Sequence, residues 1–486
     1  MLLPILLAFA NPCQPCHPQI VQSYEKTAMA RSSSKHVTNL KSSEPFLDPI
    51  TQTTFSITPG FLLKFSKPNQ FEGFRQLSFA IGSGRVGHSF LFKQGNRLFQ
   101  APVSYYSETR QYQLSPGFQR RPQLDLTRVV EPSCLNCHTT AFNPVTLDIT
   151  PGIGCERCHG NTARHLATAG KGPIVNPKKL NTHERDSICA QCHLTGAARV
   201  ARYRPSGDTY KPGLNLSNFS AIFTEPQSGD DNSIGVTSHY ESLSLSQCRL
   251  PDNQPLSCTT CHDPHSEPPD ATTYFNNRCQ SCHDTKPCKQ TNDTNCISCH
   301  MPKASGRGVD HSSYTNHSIP RDKSPRQPAS KALTPFWADS TNDRDLGLAQ
   351  AILNRIDQAQ PLLEAAAKAN PKDLTVLSQL AQIHDRQGRE ANALPLYEAI
   401  LKLDPAHPTA STNLAVIRAK AGRLSDAISL WRTALKSNPA QTGVRMNLAQ
   451  ALLRQGNRAA AIEEIKTALS YDPDQPAARR ILTQLQ

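Results

Sequence analysis

Gly154-Cys155-Glu156-Arg157-Cys158-His159-Gly160 places two thiols three positions apart and sets a histidine directly after the second. The same C-x-x-C-H spacing recurs at Cys13/Cys16/His17, Cys134/Cys137/His138, Cys189/Cys192/His193, Cys258/Cys261/His262, Cys279/Cys282/His283 and Cys296/Cys299/His300. Fourteen of the sixteen cysteines are used in this way. A lone C-x-x-C is commonly half of a zinc site or a redox pair. Zinc elements, however, need no adjoining histidine, and a thioredoxin-type pair comes once. Histidine makes up only 17 of 486 residues, so its arrival after every pair is not chance. The spacing is that of covalent haem c attachment, in which both thiols bond the porphyrin and the histidine becomes the proximal iron ligand. The expected cofactor is haem c with its iron, in seven copies.

Around these motifs, 486 residues allow about two or three domains. A hydrophobic content of 37% is thin for that length, and porphyrins would supply the missing apolar area. The formal charge of +13 invites a nucleic-acid reading. Two propionates per haem would add about fourteen negative charges and largely cancel it. No nucleic-acid module appears, so nucleic acid is excluded as a partner.

Residues 11–320 read as one cytochrome domain, haem-packed and mostly irregular or α-helical, because six motifs crowd into Cys134–Pro302. A small β-rich insert is expected near residues 51–120, where Gly95-Asn96 separates two apolar runs as a hairpin turn does. A second strand pair is expected over Val103–Leu114. Residues 321–343, rich in Pro, Ser and Lys, read as a linker.

Beyond it, Pro371, Pro405, Pro439 and Pro473 recur every 34 residues. Gly388, Gly422 and Gly456 keep the same period, as do Ala393, Ala427 and Ala461 and the pairs Leu380/Ala381, Leu414/Ala415 and Leu448/Ala449. This is the tetratricopeptide period, two antiparallel helices per unit. Leu346, Asn354 and Ala359 extend it backwards into a degenerate first repeat. Residues 344–486 therefore read as an all-α solenoid closed by a capping helix after Gln475, with a face for a peptide or protein partner.

Residues 1–10 are apolar and end in Ala8-Phe9-Ala10, a cleavage-like pattern without a positive n-region, and read as a truncated signal peptide. No other apolar run is long enough to span a bilayer. Because haem c is attached outside the cytoplasm, the expected location is periplasmic or otherwise extracytoplasmic. The two leftover cysteines, Cys248 and Cys288, would most simply form a disulfide there; a thiolate haem ligand is the competing role.

A haem with histidine on both faces carries electrons, whereas one with an open face can bind substrate. Outside the motifs and before the repeats lie His36, His88, His165, His183, His239, His265, His311 and His317, enough to close seven irons. His384 and His407, within the repeats, read as surface residues.

The chain resembles multihaem c-type cytochromes of the doubled C-x-x-C-H class, related to the tetrahaem cytochrome of nitrifying bacteria, in forms fused to tetratricopeptide repeats. The resemblance rests on Cys13-Gln-Pro-Cys16-His17-Pro, Ile81-Gly-Ser-Gly84, the stretch quoted first, Cys189-Ala-Gln-Cys192-His193, Cys258-Thr-Thr-Cys261-His262-Asp-Pro-His265 and Cys296-Ile-Ser-Cys299-His300-Met-Pro-Lys303. It implies His165, His239, His265, His311 and His317 as distal ligands, with His36 and His88 completing the candidate set. No C-x-x-C-K variant is present, so the lysine-ligated haem of pentahaem nitrite reductases is not implied. The expected function is electron transfer with a redox partner protein, and no catalytic set stands out. The alternative is an oxidoreductase acting on nitrite, hydroxylamine or tetrathionate at one open haem.

Overall fold

The computed structural model describes residues 11–35, 42–118, 122–225, 239–248, 250, 254–283, 295–305, 313–320, 332–337 and 342–486. Thr53–Thr58 alternates buried and half-buried positions, the period of a strand with one covered face. It belongs to an antiparallel sheet of β1 (Ser33–Ser34), β2 (Phe46–Asp48), β3 (Thr53–Thr58), β4 (Leu62–Lys67), β5 (Phe71–Ile81), β6 (Gly87–Gln94), β7 (Arg97–Tyr106) and β8 (Gln111–Leu114). Strands β2 to β8 pair in sequence order, and β1 adds to β5. Register follows the apolar side chains: Phe55 faces Phe65 and Ile57 faces Leu63 across β3 and β4.

The expected hairpin at Gly95-Asn96 joins β6 to β7, with Gln94 opposite Arg97. Gly95 takes a φ of +57°, as the first central position of a type II′ turn requires. Val103 pairs with Leu114, as expected for the second strand pair. The reading of this region as mostly irregular or α with a small insert is corrected. The first part of the chain is rich in strand, and its sheet builds a side-chain core of its own. Phe55, Leu63, Phe90, Phe92, Phe99 and Val103 fill one face. On the other, Phe79, Leu91 and Leu98 pack against Leu135, Leu147 and Ile149. Leu135 lies inside the second motif, so this face fixes where that motif stands.

Ala198–Ala201 and Ser220–Thr224 form a second antiparallel sheet, and Thr334–Pro335, from the stretch read as a linker, adds its third strand. From Asp343 onward the chain is helical, as the 34-residue period predicts. Helices Leu374–Arg386, Pro408–Lys420 and Thr442–Arg454 each precede a partner helix, and Pro476–Leu485 closes the array. Ala381, Ala393, Ala415, Ala427, Ala449 and Ala461 are fully buried, where small side chains let helices approach. Gly388, Gly422 and Gly456 end the first helix of their repeats with φ near +75°, and Asn354 does the same in the degenerate repeat with φ +58°. The bond from Arg389 N to His384 O recurs as Arg355 N to Gln350 O, Arg423 N to Arg418 O and Asn457 N to Leu452 O, a left-handed helix cap.

The array is not a free module. Its first helix, Asp343–Ile352, packs Leu348 and Ala349 onto Val200, Ala221 and Phe223, and Asp345 pairs with Arg202 at 2.8 Å. At its far end Tyr471 enters the core of the large sheet beside Phe99. There Arg97 donates to Ser437 O and Arg75 to Ser470 O, both at 2.7 Å. The buried Asp474 accepts from Leu124 N at 2.9 Å. No helix among the described residues is long and apolar enough to cross a membrane.

Candidate metal centre

Each C-x-x-C-H unit needs its three side chains on one side of the backbone, and one helical turn provides that. His17 N donates to Cys13 O at 2.9 Å, His159 N to Cys155 O at 2.8 Å and His262 N to Cys258 O at 3.0 Å. These are i to i+4 bonds, which stack the first thiol, the second thiol and the ring along one face. The remaining motifs lie at the ends of Thr182–His193 and Ala271–His283, in Cys296–His300, and across the end of Pro132–Leu135.

The motifs adjoin one another in space. Cys13 lies beside Cys155, Cys137 beside Cys192, and Cys189 beside Cys258. Cys158 feels Cys189 across the next gap, and Cys279 feels both Cys296 and Cys261. Six motifs thus run in series from His17 through His159, His193, His262 and His283 to His300, with that of His138 at the side of the fourth. Cys248 lies near Cys261 and Cys279. Cys288, its expected disulfide partner, falls outside the described residues.

The protein covers the two thiols of the sixth motif unequally. Cys282 is exposed, as is the adjoining His283, whereas Cys279 one turn earlier is half-buried. Cys282 sits in the last turn of Ala271–His283, on a helix with almost no apolar face for the protein to cover. It lies near Cys261 of the fifth motif, but no histidine from outside the motifs makes a ring contact with His283 among the described residues. Cys16, Cys134 and Cys299 are exposed in the same way. In each of these four motifs the protein covers one thiol more than the other, so side chains alone do not enclose the pair.

Histidines from outside the motifs come to motif histidines at characteristic separations. The rings of His159 and His265 are 5.9 Å apart, centroid to centroid, and within 10° of parallel. His262 and His317 are 6.1 Å apart, and His193 and His239 are 5.2 Å apart. His239 also lies 5.0 Å from His317. An iron held between two imidazole nitrogens, each about 2 Å away, sets the centroids roughly 6 Å apart. The first two pairs match that spacing closely.

Electrostatics agree with neutral, ligand-competent rings. Burial, then the neighbouring His193, His317 and His262, push the pKa of His239 down to about 3. Burial also lowers His138, His193, His262, His265 and His317. His193 borders open space while protein surrounds it on most sides, and His317 and His138 add to the depression.

Backbone carbonyls fix which nitrogen is presented. Nδ1 of His159 lies 2.9 Å from Val175 O, that of His300 2.9 Å from Pro320 O, that of His317 2.9 Å from Thr315 O, and that of His165 3.1 Å from Gly172 O. Only a protonated Nδ1 can donate to a carbonyl, so Nε2 is left as the bare acceptor a metal requires. Ser33 adds a brace: its hydroxyl donates to His138 O at 2.6 Å and accepts from Gly152 N at 2.9 Å, joining the second motif to the approach of the third. A carbonyl carries no side-chain signature, so nothing in the sequence marked Val175, Thr315 or Pro320 for these roles.

The residues present fit a porphyrin in a further respect. The Tyr210 hydroxyl and Arg157 Nε are buried without a hydrogen-bond partner among the described residues, and Tyr210 lies beside Cys189, Cys158, Arg157 and Cys192. A propionate would satisfy both groups. Among the described residues, no group of three or more His, Cys, Asp or Glu side chains converges as a bare metal ion would need.

Of the other expected ligands, His36 and His311 fall outside the described residues. His88 sits on β6, its Nε2 close over Gly84, and no ring contact joins it to a motif histidine among the described residues. His183 packs on Trp337 at 5.7 Å. His384, read as a surface residue, is instead buried on the inner side of its helix. His407 caps Pro408–Lys420 through its Nδ1.

This geometry suits haem of the c type beside a helical repeat array. Residues 103–160, from β7 through the second and third motifs, match the family described as cytochrome c554 and c-prime. Residues 344–408, 380–442 and 418–485 match the tetratricopeptide repeat. The chain therefore contains a haem-protein domain of the c type and protein-interaction repeats. Among solved structures it is similar to MamA, at 19% identity over 29% of this chain and 78% of that one, with a TM-score of 0.28. It is also similar to YrrB, described as a TPR protein with an unusual peptide-binding site, at 18% identity over 29% of this chain and 73% of that one, with a TM-score of 0.27. No curated protein matches.

Proposed function

We propose that the chain is an exported c-type cytochrome that carries electrons through seven covalently held haems, in the class related to the nitrifier tetrahaem cytochrome. The observation that carries this reading is the His159–His265 pair, spaced and aligned as two axial ligands of one iron. Its motif histidine has its Nδ1 engaged and its Nε2 free. In this reading the fourteen motif cysteines bind porphyrin, the exposed Cys282 among them, and His17, His138, His159, His193, His262, His283 and His300 are proximal ligands. His265, His239 and His317 serve the third, fourth and fifth motifs from the far side. Bound haem would supply one-electron redox chemistry, and the neighbouring motifs would pass electrons along the series. The outside histidines that meet the motif histidines His159, His193 and His262 support a carrier over an enzyme, with a redox protein as partner and an extracytoplasmic location.

The test is a pyridine haemochrome assay on protein expressed with the haem-attachment machinery, followed by electron paramagnetic resonance. Seven haems per chain with low-spin signals are expected. A colourless product would end this reading. Stoichiometric carbon monoxide binding after reduction would instead favour the oxidoreductase.

A further inference from the structure

From Gly160 to His183 the chain holds no acidic residue, yet it presents Arg164, Lys171, Lys178 and Lys179 to solvent. The same stretch exposes Leu166 and Ile174 at 39% and 37%. Val175 binds it to a second segment: a Cβ on either Gly160 or Gly213 would lie 3.4 Å from the Val175 side chain. Beside Gly213, Lys211 is exposed and Leu214 is 44% exposed. Two segments joined at Val175 thus expose five cations and three apolar side chains, and none of the five cations takes part in an ion pair among the described residues.

This surface is fastened to the third motif. Val175 N donates to His159 O at 3.2 Å, and Val175 O receives the His159 Nδ1 proton at 2.9 Å. One residue thus links exposed Ile174 to a proximal ligand. Charge around an apolar centre is the pattern of a transient interface, in which the rim steers approach and the centre excludes water.

We propose that this face, centred on Ile174, Leu166 and Leu214, is the docking surface for an acidic electron-transfer protein that exchanges electrons at the His159 motif. It rests on the function proposed above. The partner carries a carboxylate rim around an apolar patch, complementary to the five cations. One electron passes per encounter, from the reduced partner to a ferric iron of this chain, with no bond made or broken.

The experiment uses full-length holoprotein, an acidic flavodoxin hydroquinone as reductant, and the triple variant Lys171→Glu/Lys178→Glu/Lys179→Glu. Stopped-flow reduction of the wild type should slow steeply as ionic strength rises from about 10 mM to about 200 mM. At low salt the variant should react about tenfold more slowly, with its salt dependence flattened. Its haem spectrum and its rate with a neutral hydroquinone should be unchanged. Equal flavodoxin rates in variant and wild type, with haems intact, would overturn the docking surface and leave the cytochrome reading standing. Absence of haem absorbance in both proteins would overturn that reading itself. Binding to phosphatidylglycerol vesicles that the triple variant abolishes, with flavodoxin rates unaltered, would assign the face to a lipid surface and overturn the proposal.

Discussion

In the repeat array, helix Leu374–Arg386 buries six of its residues, among them Val376, Leu377, Leu380, Ala381 and Ile383. In the motif region, helix Ala271–His283 is as long and buries only Asn276. The first helix is held by side chains repeated every 34 residues. The second has almost no apolar face for a protein neighbour to cover, and it ends on the exposed Cys282 and His283. A helix of that length is marginal alone in water, and few side chains cover this one beyond Phe275 on His262 and Asn276 at Ile297 N. In the proposed reading, haem held by the C-x-x-C-H motif at its end would cover it. The large sheet stands between these extremes, with a phenylalanine-rich face of its own and a second face given to the motif containing Leu135.

Withholding haem tests this contrast most severely. Expressed without attachment machinery, the chain should lose protease resistance across Ala271–His283 and Cys296–His300, while residues 343–485 stay resistant. Limited proteolysis read by mass spectrometry checks this, and an intact motif region would mean that side chains suffice there.

The converse test perturbs only the array. Tyr397 is fully buried, with its hydroxyl donating to Asp385 at 2.7 Å and accepting from Asn413 at 2.8 Å. Tyr397→Ala should cost about 3–5 kcal/mol in chemical unfolding of the array, with the haem spectrum unaltered.

The seam between sheet and array answers to pH. Burial, then Asp125 and Asp474, raise the Asp472 carboxyl to about 6, against about 3.9 unfolded. A folded-state pKa above the unfolded one means the native state holds the proton more tightly. Its stabilising contribution is full below about pH 4 and is lost as pH rises through about 6. Asp472→Asn has no charge to bury, so it should gain about 1–3 kcal/mol at pH 7 and little at pH 4. Thermal melts at the two pH values measure the difference.

Smaller effects separate the two regions further. Ser33→Ala removes the hydroxyl that joins His138 O to Gly152 N and should cost about 1–2 kcal/mol. That loss belongs to the motif region, so haem stoichiometry should fall before the array melts. Asn354→Gly relieves a left-handed backbone at a position where the other repeats use glycine, and should raise array stability by about 0.5 kcal/mol.

Legibility differed between these regions for a physical reason. The array could be read because each repeat makes the same contacts, so Pro371, Gly388 and Ala393 mark their structural roles by period alone. The Gly95-Asn96 hairpin was readable because a two-residue turn demands its own chemistry. For β3 and β4 the sequence yielded only a β-rich insert near residues 51–120 and not the individual strands, since Thr53–Thr58 and Leu62–Lys67 are short and half polar, and only pairing with one another makes them a sheet. His384 was misread because a polar residue on the inner face of a helix looks like a surface residue until its neighbours are in place. The exposure of Cys282 was equally hidden, since the spacing of a motif says nothing about which of its thiols the protein covers.

Spacing along the chain was enough to set the chemistry that each motif can perform: two thiols and an imidazole within one helical turn, seven times over, followed by a 34-residue helical period. Those are local facts, carried by a single backbone. Packing decided the rest: which histidine stands opposite which motif, that Val175 and Thr315 orient the rings by their carbonyls, and that the array is anchored at both ends on the cytochrome part. Such pairings join residues as far apart as His159 and His265 or Arg97 and Ser437. Their partners are chosen by the fit of distant surfaces and by backbone groups common to every residue, and no local pattern records that choice.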